Sequence, residues 1–110
     1  MTAEEARTKI ALLCAAEEDP VLDETQLDDL VAVARRPDSE EYVYGDSEWT
    51  ETYDTDAAVA EGWRRKAGLA AARFNFAEDG QRFDRAQIYA QCIQQAEQYA
   101  RRSMGSIPIS

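Results

Sequence analysis

The chain is predicted to be a mainly α domain: about four helices, with a small β-hairpin between helices three and four, a long acidic loop and an extended C-terminal tail. In four stretches, apolar residues recur at the three- and four-residue spacing of amphipathic helices, and a residue that favours a helix N-terminus precedes each stretch. A length of 110 residues suits one domain with a modest core.

The first two helices are predicted from their caps. Thr2 and Glu5 fit a capping box, and the apolar positions that follow predict a helix over residues 3–16. Asp23 is the expected N-cap of the second helix. This helix is predicted to end before Pro37, because proline restricts the conformation of the residue before it.

Residues 37–53 are acidic and aromatic and lack helical periodicity. A loop of this length in so small a domain is usually functional or mobile. Residues 42–44 fit a short edge strand, and Trp49 and Tyr53 are expected to fold back on the domain. Two interpretations are open from the sequence: the aromatic side chains fill the core, or the loop tip contacts a neighbouring subunit or another partner.

A third helix is predicted after the loop. Asp54 or Asp56 serves as its cap, and the helix is expected to reach Phe74. One stripe of this helix is apolar and is expected to face the core, which makes Trp63 a predicted core residue. The stripe consists of Val59, Trp63, Ala67, Ala70 and Phe74.

The hairpin and the last helix complete the prediction. Residues 74–83 alternate aromatic and polar residues around Asp79-Gly80, a strong turn signal, which predicts a short hairpin. The last helix is predicted to begin at an Asp84 cap and to end near Ser103.

Charge is distributed unevenly along the chain, whose formal net charge is −10. Residues 17–56 hold 15 acidic and 2 basic residues, whereas residues 57–110 hold 5 acidic and 8 basic ones. Such a chain is not expected to grip a DNA backbone, which requires lysine and arginine facing phosphate. The simplest interpretation is a solvated acidic surface that keeps the protein in solution.

The basic residues give a further hypothesis. Arg64, Arg65 and Lys66 on helix three, and Arg101 and Arg102 on helix four, are candidates to pair with the acidic segment. Within one molecule, this pairing would give surface ion pairs of about 0–1 kcal/mol each. Between copies, it would join the acidic face of one subunit to the basic face of the next, and head-to-tail contacts that close make rings.

The sequence offers no recognisable catalytic or metal-binding motif. It contains no histidine, and Cys14 and Cys92 lie far apart without a histidine partner. Acidic pairs such as Asp28-Asp29 do not fit a calcium loop, and no glycine-rich phosphate loop is present. We therefore predict a protein that is not an enzyme and that uses no cofactor or metal. The cysteines are interpreted as small buried hydrophobes, although their spacing does not decide against a disulfide.

The location of the protein is predicted from the absence of targeting signals. No apolar stretch approaches the length that crosses a membrane, so no membrane partner is expected. The N-terminus lacks a basic region followed by an apolar one, so no signal peptide is predicted. Two unclustered cysteines favour a reducing, intracellular compartment.

Three strings in the second half resemble the small head–tail connector proteins of long-tailed bacteriophages, the adaptor or head-completion proteins. The first is Ala-Glu-Gly-Trp-Arg-x-Lys-Ala at residues 60–67. The second is a Phe-x-Phe, Asp-Gly, Phe pattern over residues 74–83, and the third is Arg-x-Gln at residues 85–87. The first two helices and the closing Gly-Ser-Ile-Pro are also similar, and residues 37–53 are the least similar.

The resemblance implies a structural virion protein. Family members form a ring, typically of twelve copies, below the portal vertex; the ring extends the DNA channel and provides the docking surface for the stopper and tail. The implied partners are the portal protein, the stopper or next connector ring, further copies of the chain, and genomic DNA in the lumen without sequence-specific binding. The implied location is the head–tail junction of the virion, with assembly in the host bacterial cytoplasm. An acidic lumen would repel DNA phosphates and let the genome slide.

The resemblance also implies a division of the chain into a helical connector domain, residues 1–104, and an extended docking tail, residues 105–110. In the tail, a glycine would end the helix, a proline would limit the entropy lost on docking, and two isoleucines would supply apolar anchors. The implied portal-binding residues are Arg101, Arg102, Met104, Gly105, Ser106, Ile107, Pro108, Ile109 and Ser110. The predicted contacts with a neighbouring subunit or the stopper are Tyr42, Tyr44, Trp49, Arg64, Arg65 and Lys66.

Alternatives are open on the function and on the tail. The chain is an alternative candidate for another ring of the same stack, a stopper or tail terminator, but these are usually β-rich barrels in the family. A helical regulatory protein outside the virion, which binds one partner, would show the same acidic and helical composition. The tail has an alternative position as well, folded back on its own helices.

Overall fold

The computed structural model describes the backbone of residues 1–74 and 79–105, and the side chains of residues 1–72 and 86–103. This part of the chain contains four helices: α1 (Ala3–Leu13), α2 (Glu24–Ala34), α3 (Thr55–Phe74) and α4 (Asp79–Gly105). The prediction of a mainly α fold is confirmed. The described backbone contains no β-strand, only an isolated antiparallel bridge between Arg35 and Tyr53.

Helix α1 begins with the predicted capping box and ends earlier than predicted. The Thr2 hydroxyl accepts the Glu5 backbone N–H, and the Glu5 carboxylate accepts the Thr2 N–H, each at 3.1 Å. The helix stops at Leu13 rather than at residue 16, because Ala15 adopts a positive φ of 48° that an α-helix does not allow. The chain is thereby turned toward α2.

Helix α2 matches its prediction closely. Asp23 is the N-cap, and its carboxylate accepts the Gln26 backbone N–H at 2.8 Å. The helix ends at Ala34, before the predicted proline stop. Its buried residues are the predicted apolar face: Leu27, Leu30, Val31 and Ala34.

Helix α3 is the centre of the fold. Asp54 caps it by accepting the Ala57 N–H at 3.1 Å, which decides between the two predicted caps. Helix α4 packs along α3, while α1 and α2 contact α3 and each other; within the described residues, α4 contacts neither α1 nor α2. The molecule is elongated, with extents of 55 × 32 × 18 Å. None of the helices described is long and apolar enough to cross a membrane.

The turn and the second strand of the predicted hairpin, residues 74–83, are wrong. Phe74 is the last residue of α3, and Asp79, Gly80 and Phe83 all belong to α4. The last helix accordingly begins at Asp79, before the predicted Asp84 cap. An Asp-Gly turn signal is a local preference, and packing against a neighbouring helix overrides such preferences. The remaining part of the prediction, residues 75–78, lies outside the described residues.

The core lies where α1 and α2 meet α3. Ile10, Cys14, Leu30 and Val59 are fully buried there. Gly62 of α3 allows the close approach: a Cβ at this position would overlap Cys14 Sγ and would lie 3.2 Å from Leu30 Cδ1. The close packing of these three helices therefore depends on the missing side chain at Gly62.

Candidate functional site

The acidic loop, residues 37–53, is tied to the helices at both of its ends. The Arg36 N–H donates to the Thr52 carbonyl at 3.0 Å, and the Asp54 N–H donates to the Ala34 carbonyl at 2.7 Å. These bonds join the end of α2 to the start of α3. The base of the loop is thereby closed by hydrogen bonds at both of its ends.

Asp38 organises the interior of the loop. One carboxylate oxygen accepts the N–H groups of Glu40 and Tyr42 at 2.9 and 3.0 Å, and the other accepts the Thr50 N–H at 2.8 Å. These three N–H donors, of which that of Thr50 has the largest effect, hold the pKa of Asp38 below its ordinary value. The strand predicted for residues 42–44 is not formed. The Tyr42 carbonyl accepts the Asp38 N–H at 3.0 Å, which closes a turn.

A chain of aromatic contacts joins the loop to the helices. The Arg35 guanidinium lies 3.5 Å from the centre of the Tyr44 ring. The Trp49 ring meets Tyr44 edge to face at 5.6 Å and Tyr53 at 5.9 Å, and its indole N–H donates to the Arg36 carbonyl at 2.9 Å. The first interpretation holds for Tyr53, which packs against the core. Tyr44 remains 57% exposed, and contact of the loop tip with a partner stays a prediction.

The outer side of the loop is apolar at its tip and negatively charged around it. Val43 is 54% exposed beside Tyr44, and the left-handed Gly45, at φ 97°, turns the chain after them. The loop has six acidic residues and no basic residue. Five of the six are exposed and form no ion pair within the described residues. One of the five, Asp46, accepts the Glu48 backbone N–H at 3.0 Å and is treated separately. The other four, together with the two tip residues, are named the loop surface: Glu40, Glu41, Val43, Tyr44, Glu48 and Glu51.

The structure does not bring Arg64, Arg65 and Lys66 together on one surface. Arg64 is about half exposed and lies 3.6 Å from the Glu61 carboxylate. Arg65 pairs with Asp29 of α2 and with Glu61, so it joins two helices of one subunit. The predicted contact is wrong for Lys66, which is buried, and stays a prediction for Arg64 and Arg65. Successive residues of a helix point about 100° apart, and a run of three charges cannot share one face.

Lys66 is buried, with 1% of its surface exposed. Its Nζ donates to the carbonyls of Cys14 at 2.9 Å and Ala15 at 2.7 Å, and lies 4.6 Å from the centre of the Trp63 ring. The end of a helix leaves carbonyls without intrahelical partners, and Lys66 satisfies that of Cys14. The Ala15 carbonyl accepts both Lys66 Nζ and the Glu18 N–H, the latter at 3.0 Å. Burial lowers the pKa of Lys66, while Glu18 among other groups favours its charged form.

Trp63 completes the junction between α1 and α3. Its indole N–H donates to the Leu13 carbonyl at 3.2 Å, and its ring packs against the core while part of it stays exposed. A cleft of about 380 Å³ opens beside Trp63 and Lys66, between the α1–α2 connection and α4. Its Lys66 ammonium is already engaged by two carbonyls, so the cleft is a packing junction rather than a site with an available cation.

Cys14 and Cys92 are free and buried. Burial raises the pKa of the Cys14 thiol to about 12 and also raises that of Cys92, so both stay protonated at neutral pH. The interpretation of the two cysteines as small buried hydrophobes is confirmed. In the described part of the chain, no group of three or more acidic or cysteine side chains is arranged to hold a metal ion.

The C-terminal end of α4 lies against the base of the loop. The Ser103 hydroxyl donates to the Asp54 carboxylate at 2.6 Å, and Arg101 and Arg102 are exposed. The guanidinium of Arg102 lies 4.7 Å from the centre of the Tyr99 ring, and that of Arg101 lies 3.8 Å from the Glu97 carboxylate.

The range predicted for the docking tail, residues 105–110, overlaps the end of α4. Helix α4 continues through Met104 and ends at Gly105, so Gly105 is helical rather than the first residue beyond the helix. The structural prediction for the remaining tail falls outside the described residues. It concerns Ser106, Ile107, Pro108, Ile109 and Ser110.

Sequence reasoning missed the residues that hold these surfaces in place. Asp38 follows a proline and precedes a serine, a composition typical of side-chain-to-backbone turns, so its role had a readable signal. Lys66 lies three residues after Trp63, on the inner side of α3, but a lysine is rarely fully buried. Nothing in the sequence indicates the role of Arg35, because its partner, Tyr44, lies nine residues further along the chain, within the loop.

No protein-family profile matches the chain, and no curated protein or solved structure is significantly similar to it. The connector resemblance therefore stays a prediction from motifs. One of its strings, residues 60–67, contains Gly62, Trp63 and Lys66, which join α3 to α1. In this chain, the residues of that motif have a structural role.

Proposed function

We propose that the protein is a structural subunit of the head-to-tail connector of a long-tailed bacteriophage. As an adaptor, it would form a ring below the portal, extend the DNA channel and provide the docking surface for the stopper or tail. The proposal rests on the motif at residues 60–67 and on the helical fold that this motif holds together. The same motif carries the contacts of Trp63 and Lys66 with the end of α1.

The observation that supports the proposal most is the convergence of two candidate contact elements at one end of the molecule. The Ser103–Asp54 hydrogen bond, 2.6 Å long, fixes the end of α4 against the base of the acidic loop. The chain that follows α4, implied to bind the portal, therefore follows a helix end that lies at the base of the acidic loop. An adaptor needs one contact for the portal and one for the next component, and these two elements are the candidates for them.

The charge of the chain supports a place beside DNA without gripping it. The net charge is −10, and two of the few basic residues are used within the subunit. Arg65 pairs with Asp29, and Lys66 is buried. A ring of such subunits would present mostly negative potential to a passing genome, which would limit its adhesion to the channel wall.

The internal use of Arg65 and Lys66 changes the proposal for ring closure. Head-to-tail pairing of an acidic face with a basic face would depend on the remaining exposed cations, of which Arg64 and Arg101 already lie near glutamates of their own helices. We therefore propose that contacts between subunits depend more on packing than on charge. The four helices of the described chain also favour an adaptor over a β-rich stopper or terminator ring.

A helical binding protein outside the virion is the second candidate, since an exposed, ordered loop also suits a single partner. Mass spectrometry of purified phage particles distinguishes the two. The adaptor proposal predicts the protein in mature particles at roughly the copy number of a portal ring. Its presence in infected-cell lysate together with its absence from particles would contradict the adaptor and favour the second candidate.

Removal of the C-terminal tail tests the proposed portal contact. Deletion of residues 105–110 is expected to leave the fold intact, because the described core lies within residues 1–103, and to prevent incorporation into particles. A matched variant, with Ile107 and Ile109 replaced by serine, keeps the chain length and removes only the apolar anchors. Normal incorporation of both variants would show that the tail does not dock the portal.

A further inference from the structure

We infer that the loop surface docks a positively charged and partly apolar surface of a different protein, with Val43 and Tyr44 as apolar anchors. The kind of partner is inferred from the exposed groups and contacts of the loop itself. The identity of the partner rests on the proposed function, under which it is a neighbouring component of the connector.

The loop is ordered before any partner binds. Asp38 holds three backbone N–H groups of the loop, and the Trp49 indole is fixed to the Arg36 carbonyl. The exposed Tyr44 ring is held between Arg35 and Trp49. Binding through a surface that is already ordered loses less conformational entropy, and this raises affinity without additional contacts.

The exposed groups of the loop surface determine what kind of partner it fits. A tyrosine that is fixed and half exposed is typical of residues that dominate binding energy at protein interfaces. Glu40, Glu41, Glu48 and Glu51 surround the tip without an ion pair in the described part of the chain. Four carboxylates on one short loop repel each other, and lysines or arginines of a partner would relieve this repulsion and steer the encounter.

A second copy of the chain does not fit this requirement. Most of the described basic side chains are engaged within the subunit, so among the described residues few cations remain for a neighbouring loop. Their partners are Asp28 for Arg7, Asp54 for Arg36, Glu61 for Arg64, Asp29 and Glu61 for Arg65, two carbonyls for Lys66, and Glu97 for Arg101. The occupant is therefore a different protein with its own basic surface.

Two synthetic peptides serve as probes: a short peptide of alternating lysine and leucine, and one of alternating lysine and serine. We expect the lysine–leucine peptide to bind roughly tenfold more tightly, because it alone offers apolar groups to Val43 and Tyr44. In ¹⁵N–¹H NMR titrations, amide shifts are expected to concentrate in residues 38–52. Added salt should weaken both peptides and preserve the ratio between them.

Matched variants separate the anchors from the charge. Tyr44→Ala and Val43→Ser keep all charges and are expected to remove most of the preference for leucine over serine. Replacement of Glu40, Glu41 and Glu48 by glutamine is expected to weaken binding of both peptides roughly tenfold. The same replacement at three acidic residues elsewhere should have less than about a threefold effect. These control residues are Glu4, Glu17 and Glu24, whose side chains are exposed.

Loop order is tested with two substitutions of equal charge. Asp38→Asn disturbs a carboxylate that holds three N–H groups, whereas Asp46→Asn disturbs one that holds only the Glu48 N–H at 3.0 Å. Asp38→Asn is expected to reduce affinity more. The NMR spectrum of each variant also shows whether the helical core is retained.

Several results would overturn the inference. It is wrong if amide shifts spread over α1 and α2, if both glutamine triples weaken binding equally, or if Tyr44→Ala and Val43→Ser leave the leucine preference intact. A salt-sensitive dimer in sedimentation experiments that is lost in the loop variants would make a second copy the occupant. None of these measurements uses phage particles, so their failure is distinct from a failure of the proposed function.

Discussion

Substitution of Gly62 tests how closely α3 approaches α1 and α2. In Gly62→Ala, the added Cβ would overlap Cys14 Sγ and would lie 3.2 Å from Leu30 Cδ1, so one of the helices must shift. Gly68 provides a matched control on the same helix, because no described atom lies within 4 Å of the position its Cβ would take. Both substitutions give the same gain in helix propensity and differ in the steric overlap.

The two substitutions are expected to change the free energy of unfolding in opposite directions. Alanine is favoured over glycine in a helix by about 1 kcal/mol, so Gly68→Ala should stabilise the protein by about 0.5–1 kcal/mol. Overpacking of a filled core costs about 1–3 kcal/mol, which exceeds the propensity gain at Gly62. Gly62→Ala is therefore expected to destabilise the protein by about 1–2 kcal/mol.

Urea unfolding followed by circular dichroism measures both effects, and a double-mutant cycle identifies the cause. Cys14→Ala removes the sulfur that the new Cβ would overlap. In that background, Gly62→Ala should be neutral or stabilising. If Gly62→Ala stabilised the natural chain as Gly68→Ala does, or if Cys14→Ala gave no rescue, the described packing of α3 against α1 would be wrong.

Three further predictions concern the same junction. Lys66→Met should lower the free energy of unfolding in urea by about 2–4 kcal/mol, because the Cys14 carbonyl loses its donor and the Ala15 carbonyl loses one of two. Arg64→Met should change the same free energy by less than about 0.5 kcal/mol, and equal effects would contradict the role of Lys66. Trp63→Ala should lower it by about 3 kcal/mol and Trp63→Phe, which loses only the indole N–H, by about 1 kcal/mol, and an unchanged midpoint in Trp63→Ala would refute its packing role. Burial raises the pKa of the Cys14 thiol from 9.0 to about 12, so the unfolded state loses this proton first and stability should fall between these pH values. Cys14→Ala should flatten that decline, and an unchanged slope across urea titrations at several pH values would show that the Cys14 thiol does not cause it.

Helices were predictable where capping and apolar spacing agree. Thr2, Asp23 and Asp54 cap helices as the sequence predicts, and the apolar face of α2 is the buried one. These signals are local, so they are readable without knowledge of the fold. The hairpin prediction failed because an Asp-Gly pair signals a turn only in the absence of stronger packing, and Asp79-Gly80 lies in a helix that packs along α3.

The candidate site was less predictable from the sequence, because it depends on contacts between residues that are distant along the chain. The acidic and aromatic character of residues 37–53 marked the loop as a surface of interest, but the stacking of Arg35 on Tyr44 depends on how the loop closes. Arg64, Arg65 and Lys66 looked equivalent in sequence. Their different positions follow from the rotation of α3 against α1 and α2, which buries Lys66 and turns Arg65 toward Asp29.

The most direct test of the proposed function is a cryo-electron microscopy reconstruction of the head–tail junction in phage particles that carry this protein. The proposal predicts a ring of copies directly below the portal, with α3 and α4 recognisable as a long helical pair and the C-terminal residues in contact with portal subunits. The loop surface should face a basic region of an adjacent component. A junction without density for this fold would contradict the proposed function.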